Sequence, residues 1–441
     1  MEREVHVIGG GLAGAEAAWQ AARLGVRVVL YEMRPGTATP AHRTGDLAEL
    51  VCSNSLGSAA LDTASGVLKR EMEILGGLLV RIAREHALPA GQALAVERDA
   101  FSEHVTRCIL AHPLITVVRQ EVREVPAERP LIIATGPLTS DALADSLSRL
   151  TKSRYLHFYD ASSPIVDASS VDFSRAFWGS RYGKGGEDYL NCPMNSAEYR
   201  AFWEALVKAE QAPRHAFDTP AYFEGCLPVE RIAMRGFHAL RYGPLKPVGI
   251  VDPKTGRRPY AVLQLRREDS EGSMLNLVGC QTSLKWSEQR RVFRMVPALS
   301  RAEFLRYGVM HRNTYVCSPA VLSDTLEFSG NPGLFLAGQL TGVEGYMESA
   351  ATGLLAGVNA ARYALGEPLV RAEPGMMLHG LIRYITSADP VKFQPMNASF
   401  GLLPRVELKD RKERRKAMVL RALQSADKMV KIANLAIADR L

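Results

Sequence analysis

No run of about 20 uncharged apolar residues occurs in this 441-residue chain, so no membrane-crossing helix is expected. The N-terminus has no basic flank ahead of an apolar core, which argues against a secretory leader and makes the cytoplasm the expected location. Cysteine pairing is missing as well: Cys52, Cys108, Cys192, Cys226, Cys280 and Cys317 are scattered and form no C-x-x-C. In a long chain without a leader this argues against a disulfide framework and a zinc ribbon, and no metal site is expected. No internal repeat or low-complexity tract is visible. What is present is ordinary for a globular protein, with 47% hydrophobic and 23% charged residues. The length exceeds one comfortable core, so at least two domains are expected. A net charge of +7 is compatible with a polyanionic partner without demonstrating one.

The densest information lies in residues 4–36. An apolar run from Val5 to Ile8 enters Gly9-Gly10-Gly11-Leu12-Ala13-Gly14, a small-residue helix follows, and a second apolar strand ends in Glu32. In a dinucleotide-binding βαβ unit Gly9 permits the turn, Gly11 admits the pyrophosphate, and Gly14 lets helix and strand pack closely. The helix N-terminus offers N–H groups and a positive dipole end to phosphates. Glu32 stands about 20 residues past the glycines, where an acid accepts hydrogen bonds from a ribose diol. It would repel the 2′-phosphate of NADP, which favours FAD or NAD. Glycine clusters also make ordinary turns, but here strand, helix, second strand and acid follow in order.

Downstream, residues 58–86 read as mostly helix, with strong apolar periodicity from Leu68 to Ile82, and Asp99 to His112 reads as another helix. Ile115 to Val125 alternates as a β-hairpin strand would. Pro130 to Ile133 is a buried strand running into Ala134-Thr135-Gly136, small residues that let the chain pass close to a nucleotide. From Lys152 to Leu305 helices thin out, prolines and aromatics increase, and alternation becomes β-like; Ser196 to Glu210 is the main helical exception. The nucleotide pattern then resumes at Gly333 to Gly342, a strand entering a glycine turn that contains Gly338 and Gln339, followed by a helix over about Glu348 to Leu365. Two such segments so far apart are most economically the two parts of one flavin domain, which tips the nucleotide to FAD. A helix N-terminus near Gly345 would then stabilise charge on reduced flavin. The expected organisation is 1–151 for the first part of the FAD domain, 152–305 for an inserted domain, and 306–441 for the second part with a tail. That tail, from Arg405, carries eleven Lys/Arg against five Asp/Glu. Its run from Lys409 to Lys416 reads equally as a phosphate track or as a solvated helix face with internal i,i+4 pairs.

These residues resemble the folate- and FAD-dependent tRNA (uracil-5-)-methyltransferases, the TrmFO (Gid) family. The resemblance is carried by Val7 to Glu16, Glu49-Leu50-Val51-Cys52-Ser53-Asn54-Ser55, Phe223-Glu224-Gly225-Cys226-Leu227-Pro228, Leu336 to Tyr346, and Phe393-Gln394-Pro395-Met396-Asn397, which together span almost the whole chain. The first and fourth blocks are shared with wider tRNA-modifying flavoproteins; the cysteine blocks and the Phe393 block are more specific. The fold implied is α/β, a split Rossmann-like FAD-binding domain of the glutathione-reductase type with an inserted, mainly β (α+β) domain and a basic helical C-terminus. The reaction implied is C5-methylation of uridine 54 in the tRNA T loop. Methylenetetrahydrofolate gives the carbon, NADH or NADPH gives electrons through FAD, and S-adenosylmethionine is not involved. The partners implied are tRNA, through its T-arm, and folate, with no obligate protein partner and no membrane.

Uracil C5 is a poor nucleophile until a group adds at C6, and thiolate suits that addition; an acid or base then handles the C5 proton. Cys226, in a segment bounded by glycine and proline, is the candidate nucleophile, with Arg231 placed to activate it if the fold brings them together. Cys52 is the second candidate, and the family implicates both matching cysteines. Cys108, Cys280 and Cys317 read as buried hydrophobes, and nothing distinguishes Cys192. Tyr346 reads either as a stacking partner for pterin or uracil or as a core tyrosine. Arg181 to Gly186 reads as a flexible basic loop for folate glutamate or RNA phosphate. Competing functions are a wobble-uridine carboxymethylaminomethyl-modifying flavoprotein and a non-catalytic flavin-containing RNA-binding protein.

Overall fold

The structure, a computed structural model, describes residues 3–39, 41–151, 156–183, 185–212 and 227–435. Strand β1 (Glu4–Ile8) pairs in parallel with β2 (Arg27–Tyr31) on one side and with Leu131–Ile133 on the other. Leu334–Leu336 and Ile115–Val118 extend the sheet to five strands, all parallel. Leu131–Ile133 and Leu334–Leu336 are wholly apolar and buried, as parallel strands covered on both faces are. Val5, Val7, Leu30, Ile132 and Phe335 are fully buried. The C-terminal strand therefore sits in the same sheet as the N-terminal glycine unit, although some 300 residues lie between them.

Helix α1 (Leu12–Arg23) lies against the helix Tyr346–Leu365 at very close range. A Cβ on Gly353 or Gly357 would collide with the carbonyl oxygens of Ala13 or Ala17. Small residues on both helices allow that approach. The segment 58–86 is not one helix. Ser55–Ser58 forms a strand, α2 (Ala64–Ile74) follows, and the chain breaks at Gly76, with φ +77°, before α3 (Leu78–Glu85). Buried carboxylates fix the joints: Glu16 accepts the Leu78 and Leu79 N–H groups, and Glu71 accepts those of Met377 and Leu378 at the start of the helix Met377–Ser387. Each places an acid at the positive end of a helix. Ile115 also departs from the expected hairpin: only Ile115–Val118 is strand, and it pairs in parallel with β2.

A second core is built on six strands in the order Phe177–Trp178, Leu190–Met194, Ala261–Arg267, Met274–Leu277, Ile165–Asp167, Phe304–Arg306, every pair antiparallel. The helix Ser196–Lys208, opened by a capping box between Asn195 and Glu198, covers this sheet with Tyr199, Phe202 and Leu206. A two-stranded ribbon, Leu156–Ala161 with Met310–Tyr315, carries the chain between the two halves. The C-terminal helix Arg411–Ile432, capped by Asp410, lays Met418, Ala422, Ala426 and Met429 on the first core. Among the described residues no helix is long and apolar enough to cross a membrane.

Candidate functional site

A cleft of about 980 Å³ opens at the C-terminal ends of the parallel strands, the edge at which open α/β sheets bind ligands. Gly9, Gly11, Leu12, Ala13, Glu32, Thr135, Gly136, Gly338, Gln339 and Tyr346 line it. Gly9 has φ +101°, and a Cβ there would sit 2.7 Å from the Ala134 oxygen. Gly11 faces open space, with nothing within 4 Å of where a Cβ would stand. No side chain caps α1, so the N–H groups of its first turn are left for a ligand; at the helix Tyr346–Leu365 the Glu348 carboxylate folds back against Gly345 and onto its own N–H. Open space at Gly11, the uncapped end of α1 and an acid at the end of β2 fit a dinucleotide lying across the sheet.

Three of the expected contact residues stand behind the lining. Gly10 turns its N–H onto Glu32 Oε2 at 2.8 Å, and Gly14 packs so tightly that a Cβ would strike the Gly9 oxygen. Gly345, with φ +114°, caps the helix Tyr346–Leu365 from just outside the cleft. Glu32 is also more engaged than its position in the sequence suggests. Its Oε1 accepts the Arg34 N–H and Nε, both at 2.9 Å, while Arg34 reaches Glu49 at 3.1 Å. Burial pushes the Glu32 carboxyl up, but Arg34 and the Gly10 N–H outweigh it, leaving it below the usual carboxylate range. Arg34, Glu49, His42 and Thr139 also line the cleft; Glu49 opens the Cys52 block, whereas the other three belong to no motif. The Arg two residues past the acid is the one available signal.

Cys52 lies beside the cleft on a loop held from several sides. Tyr346 presents its hydroxyl to the N–H groups of Cys52 at 2.8 Å and Ser53 at 3.2 Å. Arg306 donates to the Val51 oxygen at 2.9 Å, and Arg98 to the Leu50 oxygen. Arg266 donates to the Ser53 hydroxyl and to the Asn54 side-chain Oδ1 at 3.0 and 2.6 Å. Glu268 pairs with Arg98 at 3.0 Å and is the carboxylate within this group. Burial lowers Arg266, and burial together with Arg98 and Arg43 lowers Arg306 to about 10, while Glu268 more than offsets burial at Arg98. The charges of Arg98 and Arg266 act on Cys52, whose Sγ approaches the Ala161 oxygen at 3.7 Å. An electropositive, half-buried setting of this kind is where cysteines react.

The structure thus joins Cys52 to Tyr346. It also makes Tyr346 a cleft residue whose phenol is already occupied, and whose titration burial pushes up. Cys226 and Lys184 lie outside the described residues. Arg231 donates to Gln211 at 3.2 Å. Arg181 is not part of a free basic loop: its guanidinium donates to the Gln264 side chain and to the backbone oxygens of Lys246 and Val248. Cys280 and Cys192 are fully buried, with Cys192 pushed up to about 12 by burial, but Cys108 and Cys317 are only half-buried. Cys317 Sγ faces the Pro390 oxygen at 3.6 Å.

The family model described as glucose inhibited division protein A matches residues 4–368. A relative from Moorella thermoacetica, named methylenetetrahydrofolate-tRNA-(uracil-5-)-methyltransferase TrmFO, is 58% identical over 428 residues, 96% of this chain and 98% of its own. The Aquifex aeolicus protein of the same name is 53% identical over 437 residues, 99% of this chain and 98% of its own. Among solved structures, Aquifex aeolicus GidA superposes with a TM-score of 0.71 at 18% identity, covering 98% of this chain and 74% of that one. At that identity the likeness speaks for the fold, a Rossmann-type flavoprotein with a parallel sheet. Identity above one half along nearly the full length decides the rest: the chain belongs to the TrmFO family.

Proposed function

We propose that the protein is a tRNA (uracil-5-)-methyltransferase that takes its carbon from methylenetetrahydrofolate and its electrons from FAD reduced by NADH or NADPH, acting in the cytoplasm on the T-loop uridine at position 54. The names of relatives at 53–58% identity support donor, substrate and product. The single structural observation that carries the reading is the Cys52 loop bonded to Tyr346 at the edge of the dinucleotide cleft. A thiol on this loop stands beside a cleft that would hold a dinucleotide.

Bound FAD and folate would supply hydride and one-carbon chemistry. The remaining work falls to the chain. Gly11 and the first turn of α1 would hold the pyrophosphate, Glu32 the adenosine ribose, and Thr135, Gly136, Gly338 and Gln339 the middle of the dinucleotide. The positive end of the helix Tyr346–Leu365 would favour negative charge on a reduced flavin. The Cys226 thiolate adds to uracil C6 and makes C5 nucleophilic, and Cys52 handles the C5 proton. A loop uridine must leave its stack to present both carbons. Arg98, Arg266 and Arg306 keep the Cys52 backbone fixed while that happens.

The test gives the purified protein NAD(P)H and undermodified tRNA, with label either in methylenetetrahydrofolate or in S-adenosylmethionine. Label in 5-methyluridine from folate alone is expected. Replacement of Cys226 or Cys52 by alanine should abolish transfer with flavin retained. Transfer at the wild-type rate by Cys226→Ala would refute the nucleophile assignment. A wobble-uridine product would favour the relationship to the longer GidA chain instead.

A further inference from the structure

The cleft and the cysteine loop leave the basic tail unexplained. The structure bears on the two readings the sequence leaves open. Of the cations from Lys409 to Lys416, Lys416 forms a salt bridge, with Glu413 at 2.8 Å. Arg414 instead donates to the Leu408 oxygen, and Arg415 donates to the Asp62 oxygen while lying 4.7 Å from the Phe400 ring centroid. The face is therefore not a ladder of internal pairs. Arg411, Lys412, Arg415 and Lys416 line a groove of about 1200 Å³ between the C-terminal helix and the turn at Leu61 and Asp62. Its floor is Val419, Leu420 and Leu423, and two carboxylates, Asp62 and Asp410, share it; Asp410 is committed to capping the Glu413 N–H at 2.8 Å. Leu61 and Leu420 remain 45% and 59% exposed, so nothing among the described residues covers the groove.

The groove is also tied to the reaction site. Phe400 ends the segment in which Met396 pairs with Gly342 and Glu344, and the Ala398 N–H reaches Glu348 in the first turn of the helix Tyr346–Leu365. On the other wall, about ten residues lead from Cys52 to Asp62, at most roughly 35 Å of chain. We propose that this groove is a docking surface for the phosphate backbone of a tRNA arm outside the T loop, which anchors the RNA while the target uridine reaches Cys52. The proposal rests on the tRNA reading above. Four cations along one groove suit the closely spaced charges of an RNA backbone. The apolar floor suits the sugar edges of a shallow A-form minor groove.

The experiment measures tRNA binding by the holoenzyme across a salt series, separately from methyl transfer. The double variant Arg411→Glu/Lys412→Glu should weaken binding about tenfold and flatten the salt dependence by roughly 0.7–0.9 in log–log slope for each phosphate no longer neutralised. Flavin content and melting temperature should stay at wild-type values. The neutral pair Arg411→Gln/Lys412→Gln should fall between, and Lys428→Gln, which only loses its partner Glu373, should match wild type. An unchanged Kd and slope in the double variant would overturn the docking surface alone. So would a shift in sedimentation with unchanged tRNA binding, which would make the groove an interface between copies. Normal tRNA binding without methylation from folate would instead overturn the enzymatic reading alone.

Discussion

The glycine turn at residues 9–14 and the cysteine loop at 50–54 flank the same cleft, yet they are held in opposite ways. The turn is shaped mainly by its own chain: positive φ at Gly9, a collision-free Gly14, and a carboxylate 22 positions away that accepts the Gly10 N–H. The loop is shaped by strangers. Tyr346, Arg98, Arg266 and Arg306 bond its backbone or side chains from four separate elements. A cofactor site that recurs across many folds can be encoded locally. A reactive group peculiar to one chemistry is positioned by the tertiary structure around it.

The sharpest way to break this contrast is a branched side chain at Gly14. Gly14→Val should drive Cβ into the Gly9 oxygen, cost about 3 kcal/mol or more, and yield protein without flavin, read by visible absorbance and urea unfolding. Damage to the loop should look different. Arg306→Ala strips the Val51 oxygen of its donor, a loss of about 1–3 kcal/mol. It should slow methyl transfer about 10- to 100-fold with flavin content unchanged, and Arg306→Lys should recover part of it. Loss of flavin from Arg306→Ala would show that turn and loop are one unit after all. The smallest effect concerns α2, which follows the loop into the core. Burial brings Lys69 down to about 8 from an ordinary 10.5. Between those values the unfolded chain binds more protons than the folded one, so stability rises with pH across that window. Lys69→Met should flatten that rise in paired urea titrations at pH 8 and pH 10.

The difference also explains what is legible in the sequence. The βαβ unit, the return of the nucleotide pattern at Leu334–Leu336 and the helix behind Gly345 are all readable, because periodicity and glycine spacing are local properties. The helix break at Gly76 is not, since the apolar repeat runs through it and only Glu16, far upstream, shows why α3 starts there. Ile115–Val118 reads as part of a hairpin because alternation does not reveal a parallel partner. Arg98, Arg266 and Arg306 carry no signal at all: three ordinary arginines, remote in sequence, acquire a role only when they meet at one loop. The resemblance to a family does identify Cys52, but not what holds it.

The ribbon Leu156–Ala161 with Met310–Tyr315 is the covalent crossing between the two cores. Arg266 and Arg306 belong to the far side of that crossing, and the loop they grip belongs to the near side. They act as a latch. Any swing of the antiparallel half about the ribbon must first release Val51, Ser53 and Asn54. Separating the two halves would therefore also free the loop that carries Cys52.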